Sequence, residues 1–163
     1  MDTRDRLILR IRLACLLSSL VLSPASVEAA APAGPAEVAG RYLDAMASSD
    51  LDAAGKLFSV TSSVFESGGR EGTWAVYREH HLGPETGEIR SFKINRGEPE
   101  TGASNDSSMA FVAWPIEYRI DLKAGKVVDS RGTVTFLFVK EQGEYRIRHL
   151  HWSSRRKPAP APK

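Results

Sequence analysis

Cysteine is nearly absent from this sequence. The 163 residues contain one, Cys15, and it lies within an N-terminal apolar stretch. Arg12 precedes it by three residues and the apolar stretch follows it, which disfavours lipoprotein processing. If the N-terminal segment is removed, the mature chain has no thiol, and this excludes both disulfides and thiolate metal sites.

Long apolar runs are also missing. The stretch over residues 13–22 is about half the ~20 residues that a membrane span requires. Four arginines precede it, and Val27-Glu28-Ala29 supplies a small-residue cleavage motif. This arrangement is typical of a signal peptide, here residues 1–29. It predicts a periplasmic or secreted protein, with a retained N-terminal anchor as the alternative.

No charge of one sign dominates, because 22 basic residues face 20 acidic ones. Residues 155–163 carry four of the positive charges and end in Pro-Ala repeats, so we expect a disordered basic tail there. Without this tail and the signal segment the domain is slightly acidic. We therefore expect no nucleic-acid partner.

The remaining pattern indicates one domain over residues 36–154, preceded by a short linker over residues 30–35. Helical spacing begins at Pro35, and Thr73 is a candidate N-cap for a third helix that Gly83-Pro84 should stop. Alternating strands follow from residue 88 onwards. Helices first and strands last predict an α+β fold, in which three N-terminal helices pack against one face of a curved antiparallel sheet.

The four histidines form two pairs, His80-His81 on the third helix and His149-x-His151 on the last strand. Strict strand alternation places both strand histidines on the face of Tyr145, which we expect to point towards the helices. One interpretation is a zinc or copper site made of His149, His151 and one or both of His80 and His81, with Glu79 or Glu85 as further ligands.

Several short motifs together resemble the nuclear-transport-factor-2-like superfamily, which includes ketosteroid isomerases, and the final stretch is most similar to SnoaL-like domains. The motifs are Arg41-Tyr42, Ser49-Asp50-Leu51-Asp52, Leu57-Phe58, Gly132-Thr133, Gly143-Glu144-Tyr145-Arg146-Ile147 and His151-Trp152-Ser153-Ser154. The resemblance implies a cone, with a curved sheet around helices, a pocket at the open end, and a homodimer formed through the outer sheet face. It does not decide function.

For an isomerase, the resemblance implies that Tyr42 and Glu117 are proton donors and Glu66 is the base. Two departures weigh against this: both carboxylates are glutamates where the family has aspartates, and strand alternation turns Glu117 away from Trp114, unless Pro115 marks a bulge.

A non-catalytic pocket is the other interpretation. It would bind a small molecule through the ring side chains Trp74, Tyr77, Tyr145, His149 and His151. The sequence leaves open whether the protein is an enzyme.

Overall fold

The computed structural model describes residues 32–158. Its helical segments are α1 (Pro35–Ala47), α2 (Leu51–Gly55), α3 (Trp74–Tyr77), a π-helical turn (Arg78–Leu82) and α4 (Gly83–Thr86). Its strands are β1 (Phe58–Glu66), β2 (Gly69–Gly72), β3 (Ile89–Arg96), β4 (Glu100–Ala103), β5 (Met109–Leu122), β6 (Val127–Glu141) and β7 (Glu144–Arg156). Among these residues no helix is long and apolar enough to cross a bilayer.

The helices begin where the sequence supplies caps. Pro35 occupies the first turn of α1, where its missing N–H has no intrahelical partner to lose. The Asp50 side chain accepts a hydrogen bond from the Ala53 amide and caps α2, and Thr73 caps α3 in the same way through Val76. The helical path does not stop at Gly83-Pro84 as predicted, because Pro84 lies in the first turn of α4, where proline is tolerated.

The strands form one curved sheet in the order β2-β1-β7-β6-β5-β3, with β4 also paired to β5. The predicted α+β architecture is confirmed, but the sheet is mixed. The β1–β7 pairing is parallel, while the other pairings of the described strands are antiparallel. The inner face of this sheet packs on α1, and the largest fully buried side chains lie at this contact: Tyr42 of α1, and Phe136, Phe138, Ile147 and Leu150 of the sheet.

A β-bulge in β7 changes the face of every residue that follows it. Phe138 pairs with Ile147 but Leu137 pairs with His149, so Arg148 is an extra residue in the ladder. Ile147, Leu150 and Trp152 are consequently buried on the inner face, and the histidines point to the other side. The prediction that His149 and His151 face the helices is therefore wrong.

The C-terminal boundary also differs from the prediction, because β7 continues to Arg156. The Lys157 amide donates to the carbonyl oxygen of Asp129 at 2.9 Å, and its Nζ lies 2.9 Å from Glu117 Oε2. The first residues of the expected tail are thus ordered by the sheet. Residues 159–163, like the proposed signal segment, lie outside the described residues.

Gly132 marks a tight approach between β6 and β7. A Cβ built on Gly132 would lie 2.0 Å from the carbonyl oxygen of Ser153 and 2.7 Å from Ser154 Cα. Both of these are backbone atoms, so no side chain can move aside to relieve the clash. Only glycine fits here, which gives the Gly132-Thr133 motif a physical reason.

Candidate functional site

The inner face of the sheet encloses a small cavity, which we call the inner cavity. Its volume is about 60 Å³. Most of its wall is apolar, and the polar atoms come from Glu66, Tyr77, Glu85 and Thr86. The full lining is Met46, Glu66, Tyr77, Leu82, Glu85, Thr86, Ile89, Phe92, Tyr118, Ile120 and Trp152.

Glu66 is the central acidic group of the inner cavity. It is the last residue of β1 and pairs with Trp152 of β7. The Tyr77 hydroxyl donates a hydrogen bond to Glu66 Oε2. Burial raises the pKa of Glu66 above its ordinary value, although Tyr77 and His81 act in the opposite direction. Such a carboxyl group is a stronger proton acceptor than a solvated glutamate.

His81 joins three glutamates at the rim of the inner cavity. Its Nε2 atom lies 3.5 Å from Glu66 Oε2 and 3.4 Å from Glu85 Oε1. On the other side of the ring, Nδ1 lies 3.4 Å from Glu71 Oε2. His81 lies in the π-helical turn, four residues after Tyr77, and the centroids of the two rings are 5.1 Å apart. Three carboxylates thus surround one imidazole, and acidic side chains outnumber basic ones at the rim.

Three aromatic side chains form the opposite wall of the inner cavity. The ring of Tyr118 lies 5.8 Å from Phe92 and 5.6 Å from Trp152, both in edge-to-face geometry. The Tyr118 hydroxyl is paired with Ser154 Oγ at 2.8 Å, which fixes the phenol ring. A ligand in the inner cavity therefore meets a rigid apolar surface on one side and carboxylates on the other.

The residues predicted for an isomerase do not converge. Tyr42 is fully buried against Phe58, Trp74 and Phe136, and does not line the inner cavity. Burial, and the nearby Glu66, raise its pKa well above the usual range of a phenol.

Glu117 lies on the outer face of β5, opposite the buried Val112 and Ile116, and pairs with Lys157. Pro115 does not change the alternation of this strand. Of the three residues, only Glu66 reaches the cavity, so the ketosteroid-isomerase constellation is not formed.

The proposed single metal site is not formed either. His149 and His151 lie on the outer face, whereas His81 lies at the inner cavity and His80 is exposed, with its Nε2 4.0 Å from Glu79. Within residues 32–158 no three histidine, cysteine, aspartate or glutamate side chains are arranged to hold a metal ion. The bulge at Arg148 is the physical reason, because it separates the two pairs by the thickness of the sheet.

The aromatic residues predicted to bind ligand also separate. Tyr77 lines the inner cavity, but Trp74 stacks on Phe58 at 4.5 Å as part of the core. Tyr145 lies at the other end of β7, where its hydroxyl donates to the carbonyl oxygen of Ser107 at 3.0 Å.

Sequence reasoning missed Phe92, Tyr118 and Trp152 as cavity residues. Alternation with Ile116 and Ile120 was a usable signal for Tyr118, whereas the undetected bulge hid Trp152.

A larger open groove, of about 670 Å³, lies across the sheet at residues of β3, β5, β6 and β7. It includes Glu117, Arg131 and Arg155, and its one carboxylate is already paired with Lys157. No imidazole or tyrosine joins them in its lining. The inner cavity is therefore the better candidate for chemistry, since its acidic, phenolic and imidazole groups meet within hydrogen-bonding or ion-pairing distance.

Comparison with solved structures defines the class of fold. A nuclear transport factor 2-like superfamily protein from Salmonella enterica superposes with a TM-score of 0.65 at 20% identity, covering 77% of this chain and 91% of that one. A ketosteroid isomerase-like protein from Erwinia carotovora atroseptica gives 0.60 at 17% identity, over 75% and 92%. An NTF2-like protein of unknown function from Pseudomonas putida gives 0.59 at 15%, over 72% and 82%.

The chain therefore has the nuclear-transport-factor-2-like fold, as the sequence motifs predicted. No family model matches the sequence, and no curated protein matches it either. At these identities the similarity establishes the architecture, and the inner cavity must supply the argument for function.

Proposed function

We propose that this protein is a small-molecule-binding domain, and that its ligand occupies the inner cavity. The observation that supports this most directly is the Glu66 carboxylate, held by Tyr77 and flanked by His81, at the edge of an otherwise apolar cavity. A few convergent polar groups on an apolar wall are the usual composition of a ligand site.

The charges at the rim favour a ligand with a proton-donating or cationic end. Glu66, Glu71 and Glu85 outnumber the single imidazole of His81, so an ammonium group gains attraction where a carboxylate meets repulsion. The body of the ligand would pack on Phe92, Tyr118 and Trp152. At about 60 Å³ the inner cavity admits only a small body, unless the short α4 segment beside it shifts.

Three probes of similar shape and different charge test this proposal: isobutylamine, isobutanol and isobutyrate. Ligand-observed NMR should detect isobutylamine binding, weaker isobutanol binding, and no isobutyrate binding. Glu66→Gln should weaken isobutylamine binding about tenfold, because a hydrogen bond to a charged group is lost. The matched control is Glu117→Gln, which removes a carboxylate from the outer face and should change nothing. Equal binding of isobutyrate and isobutylamine would contradict the proposal.

A second candidate function is acid–base catalysis by Glu66, favoured by the raised pKa of this buried carboxyl group and its contact with the Tyr77 hydroxyl. The expected activity is proton abstraction next to a carbonyl group. It is measured as deuterium uptake by cyclopentanone in D₂O. Uptake should require Glu66 and fall as the pH drops through the pKa of Glu66, because the protonated carboxyl group is no base. If uptake is absent while isobutylamine binds, only the catalytic candidate fails.

Export and self-association complete the proposal. The basic and apolar segment over residues 1–29 supports a periplasmic or secreted location.

The outer sheet face carries exposed or half-buried apolar side chains, including Met109, Phe111 and Leu137, which support a homodimer through this face. Sedimentation of the mature chain measures its oligomeric state. If the outer face forms the dimer, Phe111→Lys should favour the monomer.

A further inference from the structure

The two strand histidines share the outer face of β7 after the bulge at Arg148. His149 pairs in register with Ser63 of β1 and Leu137 of β6, and His151 pairs with Phe65 and Thr135. Residues two apart on one strand face are about 6.6 Å apart along the strand. At this spacing two imidazole rings can lean towards one ion, each binding through a ring nitrogen at about 2.0–2.1 Å.

The surroundings of His149 hold its ring in one orientation. Its Nδ1 atom is paired with Ser63 Oγ at 2.8 Å, and its ring lies 5.4 Å from the ring of Phe65. When Nδ1 donates its proton to the serine oxygen, Nε2 keeps its lone pair for a metal ion. A hydrogen bond to the non-ligating nitrogen is the usual support of a metal-binding histidine.

Among residues 32–158, one chain offers only these two ligands at this place on the outer face. The register partners of the pair are serine, threonine, leucine and phenylalanine, none of which completes a zinc site. The described residues contain no group of three ligating side chains. Tetrahedral zinc requires two further donors. A second copy that meets the same face about a two-fold axis passing beside the pair would bring its own His149 and His151 to the same point.

We propose that the outer faces of two copies hold one divalent transition metal ion, of the Zn²⁺ class, between the His149 and His151 pairs of both chains. The proposal rests on the homodimer proposed above and assigns the interface a metal. The exposed or half-buried apolar side chains beside the pair, Phe65, Phe111 and Leu137, would pack around the ion and exclude water. The inner cavity takes no part in this site.

The test uses the untagged mature chain, Zn²⁺ alone as the probe, and sedimentation analysis together with calorimetric titration. The expected stoichiometry is one zinc ion per two chains, with the monomer–dimer equilibrium shifted at least about tenfold towards the dimer. His149→Ala and His151→Ala should each abolish this shift. The matched control, His80→Ala, removes an exposed histidine on the other side of the sheet and should leave it intact.

Three outcomes would overturn the proposal: no zinc binding, binding of one ion per monomer, or binding that survives His151→Ala. A dimer that forms without zinc and ignores both histidine substitutions would leave the homodimer standing and remove its metal. Probe binding in the inner cavity is measured separately, so the failure of one site is distinguishable from the failure of the other.

Discussion

Tyr42 buries a hydroxyl group that has no hydrogen-bond partner among the described residues. Its ring is useful, because it contacts Phe58, Trp74 and Phe136 edge to face. On folding, the hydroxyl group loses its hydrogen bonds to water and forms none with the protein. This loss lowers the free energy of unfolding, because a buried polar group is left without a partner. The side chain therefore carries a stabilising ring and a destabilising oxygen.

Replacing Tyr42 with phenylalanine should increase the free energy of unfolding by about 1 kcal/mol. Urea denaturation followed by fluorescence measures the change. Tyr77→Phe is the matched control, since it removes a hydroxyl that does donate to Glu66 and should give no gain. A Tyr42→Phe protein less stable than the parent would show that the hydroxyl has a partner, such as a buried water molecule.

Residue-level prediction succeeded where local periodicity decided the outcome. Tyr77 and His81 are four residues apart, a spacing that puts both on one face of a helix, and the structure brings them together at the inner cavity rim. Trp152 was assigned to the wrong side of the sheet, because the single-residue bulge that precedes it leaves no mark in the composition of β7. Glu71 reaches the rim through the hairpin between β1 and β2, which was not predicted.

At the scale of elements, the bulge in β7 decides which side chains reach the cavity. Before Arg148 the odd-numbered residues face inwards, and after it the even-numbered ones do. Leu150 and Trp152 are buried on the inner face because Arg148 is left out of the ladder; as an ordinary ladder residue it would turn both of them outwards. The bulge is a backbone feature, and the guanidinium group of Arg148 is not part of the core.

Inserting one alanine between His149 and Leu150 should prevent folding or destabilise the domain by more than about 4 kcal/mol, because it would turn the end of β7 over and expose Leu150 and Trp152. Arg148→Ala keeps the backbone and should change stability by no more than about 0.5 kcal/mol. Thermal denaturation of both variants measures the contrast. An insertion variant that melts like the parent would mean that the bulge can take up a second extra residue.

The order of helices and strands along the chain was predictable from the sequence, but the pairing of strands in the sheet was only partly predictable. The long strands β5, β6 and β7 alternate clearly and are joined by short turns, so their antiparallel order followed from the chain. The parallel contact of β1 with β7 joins segments that are distant in sequence, and no local pattern encodes it. The π-helical turn was also missed, since its hydrogen bonds skip one residue more than the helical period assumes.

At the scale of the whole molecule, the exported protein should begin near Ala30. The basic start, the short apolar stretch and the Val27-Glu28-Ala29 motif support cleavage there. Intact-mass analysis of protein recovered from the periplasm or medium measures the new N-terminus. Ala29→Arg should block cleavage, while Ala33→Arg, just beyond the site, is the control. A recovered protein that retains Cys15 would contradict the assignment.

The parallel pairing of β1 with β7 has a consequence for the order in which the molecule is assembled. Glu66 ends β1, whereas its neighbour Trp152 belongs to the last strand. A chain that leaves a ribosome or a translocon from its N-terminus has Glu66 in place long before Trp152 arrives. Loop closure over such a separation is slow compared with hairpin formation. The inner cavity is therefore among the last parts to form, and a nascent chain truncated before β7 has Glu66 but lacks the wall that Trp152 contributes to the cavity.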